Sequence, residues 1–213
     1  MKNRRQFLTL VGMICSAAIG INGCSDEPEY RALPAGSTVV ALGDSLTYGY
    51  GASPNTAYPT VLQELSTWNV INAGVNGDTS ENILARITDI TAQNPDLVLL
   101  GVGGNDVLQR VQSDTTRANI TAVIDELKSA NIDVVLIAQP HFSASALFGR
   151  ASDNPVYEDI ARAENIPLYA SGWSDILSDD SLKSDQIHAN TAGYRQFAEG
   201  LYDYLKEEGV ARQ

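Results

Sequence analysis

Ser45 stands three residues past a short apolar, β-branched run that ends at Leu42, while Asp185 and His188 stand three residues apart near the C-terminus. These three residue types together can do nucleophilic chemistry. A serine hydroxyl attacks a carbonyl poorly unless a base takes its proton. An imidazole base in turn needs an acid to hold its tautomer and to stabilise the imidazolium. Three-residue spacing puts Asp185 and His188 on one turn, where carboxylate and ring can meet. The chemistry implied is nucleophilic attack on a carbonyl by an activated serine. The chain has 2 histidines, too few for a histidine-based metal site, and no cofactor or metal is expected. His141 also follows a strand-like run, but no acid is spaced to orient it, so it reads as a pocket-wall or turn residue.

These residues need elements to position them. Five β-rich runs are expected as strands: Thr38 to Leu42, Val70 to Val75, Leu97 to Val102, Asp133 to Ala138 and Ile166 to Tyr169. Helical periods lie between and after them. Ile83, Leu84, Ile87 and Ile90 share one face, as do Ile120, Val123, Ile124 and Leu127, and Tyr194, Phe197, Leu201, Tyr204 and Leu205 form the last. Such alternation predicts an α/β fold, a parallel sheet of five strands with helices on both faces. Ligands of such sheets bind at the C-terminal strand ends. There the first three strands run into GDSLT, NGDTS and GGND, from Gly43, Asn76 and Gly103. Glycines in these segments let backbone N–H groups approach a ligand. Taken singly, each segment is an ordinary turn, with Asp44, Asp78 and Asp106 as turn or cap residues.

The four blocks GDSLT, NGDTS, GGND and DxxH, in this order over roughly residues 38–206, resemble the SGNH (GDSL-type) hydrolases. The likeness is to the bacterial lysophospholipase L1, arylesterase and acyl thioesterase I group. It implies a flavodoxin-like three-layer α/β/α sandwich and a catalytic set of Ser45, Asp185 and His188. It also implies an oxyanion hole made by the N–H groups of Ser45 and Gly77 and the side-chain amide of Asn105. Gly74 is a rival for Gly77, but the GDTS context favours the latter. One block departs from the family's DGxHPN: Gln186 and Ala189 replace the glycine and the proline, which puts the local loop shape in question. The implied activity is hydrolysis of carboxylic esters or thioesters, of small aryl or alkyl esters or lysophospholipids. The alternatives are a carbohydrate O-acetyl esterase and a non-catalytic surface lipoprotein that binds glycan or lipid. The pocket walls that would separate the esterases are expected in Val107 to Asp114 and Phe142 to Pro155.

Two other folds fit less well. The α/β-hydrolases place their serine in GxSxG, whereas Thr47 stands where the second glycine belongs. Gly101-Val102-Gly103 lacks the third glycine of a dinucleotide site, and Asp106 would face the phosphates.

The chain of 213 residues fits one domain behind a leader. Its formal net charge of −12 argues against nucleic acid as a partner. Residues 1–23 read as an export signal: Lys2, Arg4 and Arg5 precede an apolar stretch from Phe7 to Ile21 too short to span a bilayer comfortably. Arg4-Arg5-Gln6-Phe7-Leu8 resembles a twin-arginine motif. Ile21-Asn22-Gly23-Cys24 resembles a lipobox, which makes Cys24 a lipidation site and residues 24–37 a tether to the domain at 38–213. The expected location is periplasmic or cell-surface, with the outer membrane favoured because Ser25, not an aspartate, follows the cysteine. Loss of the leader removes three cations and no acid, so the mature chain is more acidic still. Cys15 and Cys24 are the 2 cysteines, so the mature domain is expected to hold no disulfide. The sequence leaves the oligomeric state open, with a monomer favoured.

Overall fold

The computed structural model describes residues 32–141 and 151–212; the leader, Cys24, most of the tether and residues 142–150 lie outside them. Five parallel strands form one sheet, β1 (Thr38–Gly43), β2 (Asn69–Gly74), β3 (Leu97–Gly101), β4 (Asp133–Ile137) and β5 (Leu168–Tyr169), in the order β2-β1-β3-β4-β5. This is the flavodoxin-like strand order, whose switch point falls beside β1.

The strands alternate between two cores, as a period of two requires. Val39 and Ala41 of β1, Leu97 and Leu99 of β3, and Val135 and Ile137 of β4 face one side. There they meet α2 (Tyr58–Leu65), α8 (Gly172–Ser178) and α9 (Thr191–Glu207) through Tyr58, Leu62, Trp173, Tyr194 and Phe197. Val40, Leu42, Val98, Leu100, Val134 and Leu136 face the other. They pack on α3 (Ser80–Ala85), α4 (Ile87–Thr91), α6 (Ser113–Ser129) and α7 (Val156–Glu164). Burial on both faces is why these strands read as unbroken apolar runs and not as alternating ones.

Two expectations need adjustment. The fifth strand is two residues and not four. Pro167 has no N–H to give the ladder, although its carbonyl still accepts from the Leu136 N–H at 3.0 Å. The face of Ile83, Leu84, Ile87 and Ile90 is carried by two short helices that meet at Arg86, whose φ of −112° and ψ of 11° break the helix. Ile83, Ile87 and Ile90 are buried there, and Leu84 is half-buried at the edge. By contrast Ile120, Val123, Ile124 and Leu127 of α6 are all fully buried.

Candidate active site

Ser45 opens the four-residue helix α1 (Ser45–Tyr48), two residues beyond the end of β1. Asp44 makes the turn: its Oδ1 accepts the Leu46 N–H at 3.0 Å and caps α1. His188 and Asp185 lie in the loop before α9. Asp185 Oδ1 accepts the N–H groups of Ile187 and His188, each at 2.9 Å, so the carboxylate closes its own turn. Gln186 keeps a negative φ, so this turn needs no glycine, and the departure from DGxHPN leaves the Asp–His geometry intact. Asn190 then caps α9 by accepting from Ala192 and Gly193, while its amide donates to the carbonyls of Ser181 and Lys183.

The three side chains meet in line. Asp185 Oδ2 lies 2.8 Å from His188 Nδ1, and His188 Nε2 lies 3.0 Å from Ser45 Oγ. With a carboxylate at Nδ1 that nitrogen carries the proton, which leaves Nε2 to accept from the serine hydroxyl. Partial burial works to raise Asp185. The N–H of Ile187 and the ring and N–H of His188 outweigh it, so its carboxyl sits below the usual range and stays ionised. Tyr50 lies against the other face of this arrangement, its ring centroid 4.4 Å from that of His188. His188 is only 9% exposed as a result of such packing, so its Nε2 is directed to the serine and not to bulk water.

A cavity of about 210 Å³ opens beside Ser45 and is lined in part by His188, Gly77, Asn105, Tyr50, Leu108 and Ile187. Gly77 has a φ of +84°, which favours glycine, and its N–H has no hydrogen-bond partner among the described residues. Gly74 fills a different role. A Cβ there would lie 2.1 Å from the Tyr48 backbone nitrogen, so that glycine lets α1 pack against β2 and stays out of this cavity. Asn105 is the second residue of α5 (Gly104–Leu108) and does not cap it. Its Nδ2 donates to the Asp78 carbonyl at 2.9 Å, across to the Gly77 loop. A side-chain amide has two N–H bonds, so this contact orients the group and leaves one donor for a ligand.

Of the three aspartates expected as turn or cap residues, Asp44 alone is a helix cap. Asp78 pairs with Arg86 at 2.9 Å. Asp106 accepts from the Ser80 N–H, the Ser80 hydroxyl and the Thr116 hydroxyl. His141 is exposed and lies outside the cavity lining; its N–H donates to the Ser152 carbonyl at 2.7 Å, beside the antiparallel bridge between Pro140 and Asp153. Of the expected walls, Leu108 lines the cavity, Ala151 to Pro155 do not, and residues 142–150 lie outside the described part. Tyr50 and Ile187 were not anticipated. An aromatic five residues beyond Ser45 and an aliphatic one before His188 are weak signals without the loop geometry that turns them inward.

A parallel α/β sheet with a hydrogen-bonded serine, histidine and aspartate at its C-terminal edge defines a hydrolase of the esterase type. The GDSL-like Lipase/Acylhydrolase family profile matches residues 41–196, and the chain belongs to that family. It is 31% identical over 163 residues to thioesterase 1/protease 1/lysophospholipase L1 of Escherichia coli (strain K12), covering 73% of this chain and 77% of that protein. It is 25% identical over 203 residues to esterase TesA of Pseudomonas aeruginosa, covering 89% and 98%. Among solved structures, the psychrotrophic esterase EstA from Pseudoalteromonas sp., in a form inhibited by monoethylphosphonate, superposes with a TM-score of 0.70 at 26% identity. That match covers 80% of this chain and 97% of the other.

Proposed function

We propose that the protein is a serine esterase for small aryl or alkyl carboxylic esters and thioesters, acting through an acyl-enzyme. The observation that carries this reading is the line Asp185–His188–Ser45, hydrogen-bonded at 2.8 and 3.0 Å beside a small cavity. His188 Nε2 takes the Ser45 proton as Oγ attacks the ester carbonyl, and Asp185 stabilises the imidazolium. The tetrahedral oxyanion is held by the N–H groups of Ser45 and Gly77 and by the free Asn105 amide hydrogen. His188 then gives its proton to the departing alcohol or thiol. Water attacks the acylated Ser45 by the same route in reverse, releasing the carboxylic acid.

A cavity of about 210 Å³ lies below the range of drug-sized pockets, which begins at roughly 300 Å³, and so favours short acyl groups. Leu46, Leu108 and Ile187 give it an apolar lining suited to hydrocarbon. The lipobox-like run before Cys24 supports an exported lipoprotein, with lipid on Cys24 as its membrane contact.

The test is a series of p-nitrophenyl esters of increasing acyl length, alongside a thioester, lysophospholipid and acetylated xylan. Highest kcat/KM is expected on the short aryl esters, with labelling by a fluorophosphonate probe lost in Ser45→Ala. A peak on acetylated xylan would make it a carbohydrate O-acetyl esterase. No turnover and no labelling would leave a binding lipoprotein.

A further inference from the structure

The loops that carry the oxyanion donors are held by a side chain that does not line the cavity. Arg86 sits at the junction of α3 and α4, with its side chain 23% exposed. Its Nε donates to Asp78 Oδ2 at 2.9 Å. Its Nη2 donates to the Ala73 carbonyl at 2.8 Å and to the Gly43 carbonyl at 3.3 Å. Gly43 ends β1 two residues before Ser45, and Ala73 is the penultimate residue of β2, which leads to Gly77. Asp78 directly follows Gly77, and its carbonyl is the one that orients Asn105. A single guanidinium thus reaches the segments that bear all three oxyanion donors, the third through Asp78.

The residue type matters. A guanidinium offers five N–H donors in a rigid planar fork, so it can fix three acceptors at set angles. An ammonium is a point charge that cannot hold that geometry. Asp78, 13% exposed, supplies the countercharge and is the link to the turn.

We propose that Arg86 is a positioning residue that fixes the Gly77 N–H and the Asn105 amide in their catalytic orientation. The proposal rests on the reading of Gly77 and Asn105 as oxyanion donors. Such donors act on charge that develops in the transition state, so a small displacement lowers kcat and spares KM. Positional errors of about 1 Å can lower rates by about 100-fold.

Arg86→Lys keeps the charge and loses the fork. Its kcat on a short p-nitrophenyl ester is expected to fall by roughly 10- to 100-fold with KM little changed. Affinity for a trifluoromethyl ketone, which forms a tetrahedral adduct on the serine, should fall in parallel, while inhibition by the product carboxylate stays put. Arg86→Ala should recover activity when guanidinium is added at concentrations below those that unfold it. Asn105→Ala and the Arg86→Lys/Asn105→Ala double variant complete the set. A double variant less impaired than the product of the singles supports action through Asn105, as expected for coupled residues. If Asn105→Ala lowers kcat but Arg86→Lys merely melts earlier, with normal kcat on its folded fraction, Arg86 is structural and the proposal is overturned. If Asn105→Ala leaves kcat unchanged, the oxyanion reading itself fails and takes this proposal with it.

Discussion

Ser45 has an ordinary hydroxyl, and its reactivity has to come from what surrounds it. His188 supplies the base at 3.0 Å, and Asp185, held below the usual carboxylate range, keeps its charge and so keeps the ring oriented. The sign of that shift has a consequence. A carboxylate with a lowered pKa binds its proton late, so the orienting contact is present at neutral pH and is lost only as pH falls through the lowered value. Asn105 is the one proposed oxyanion donor that side-chain mutation can delete. Asn105→Ala is expected to lower kcat by roughly 10²–10³ with KM little changed, measured on a short ester with the fold checked by circular dichroism. A KM effect with kcat intact would assign it to ground-state binding. The proposed catalytic positions could be read from the chain because each carries a distinctive type in a short block: a serine after a strand, an Asp–x–x–His pair, a GGND turn. Arg86 could not, because an arginine at the end of an amphipathic stretch looks like a solvated charge until the fold turns it back on Asp78. Tyr50 was illegible for a similar reason, since nothing in one dimension brings it to a ring 138 residues further along.

At the level of elements, β1, β3 and β4 were legible because burial on both faces leaves their central positions apolar, and helix α6 because four fully buried aliphatics mark its inner face. The break between α3 and α4 was not, since Ile83, Ile87 and Ile90 keep one continuous apolar face across it. What joins these elements at the site is Asp106. It is 1% exposed and accepts from the Ser80 N–H at 2.8 Å and the Thr116 hydroxyl at 3.1 Å, tying the start of α3 to α5 and α6. The Ser80 hydroxyl is shared, since it also accepts from the Asn119 amide at 3.0 Å. Removing the acceptor strands a buried N–H and two hydroxyls, each with a desolvation penalty and no return. Asp106→Ala is therefore expected to lose about 3 kcal/mol of unfolding free energy in urea. Asp106→Asn, which keeps one acceptor oxygen, should recover part of it. Equal stability of wild type and alanine variant would mean that water replaces the carboxylate, and that the α3–α5 tie is not what holds these loops together.

On the scale of the whole molecule, the strand direction separates the two ends of the domain. The chain enters at Leu33, whose N–H donates to the Val210 carbonyl, beside Asp96, Asp133 and Arg212 at the N-terminal edge of the sheet. The cavity with Ser45 lies at the opposite, C-terminal edge. A chain that starts at residue 32 should therefore keep the kcat/KM of the full chain on a soluble ester, and a large drop would implicate the leader or tether in the site. The second whole-molecule property is negative charge, −12 in all, and part of it, Asp44, Asp78 and Asp106, is close enough to interact beneath the active site. Asp44 is fully buried there. Burial pushes its carboxyl from 3.8 up to about 7; the Leu46 N–H opposes this, and the nearby charges of Asp78 and Asp106 add to it. Its folded pKa therefore lies above its unfolded one. The folded state binds the extra proton between those values, so this contribution to stability is complete below about pH 4 and disappears as pH rises through about 7. A shift of that size corresponds to about 4 kcal/mol between the two limits. Asp44→Asn keeps an oxygen to accept from Leu46 and cannot ionise, so it removes the pH-dependent part alone. Urea unfolding of both proteins from pH 4 to pH 8 should show the variant gaining on the wild type as pH rises, with the largest difference at pH 8. A difference that stays constant across the range would mean that Asp44 is ionised throughout, and that Leu46 and the helix start, not protonation, are what keep it buried.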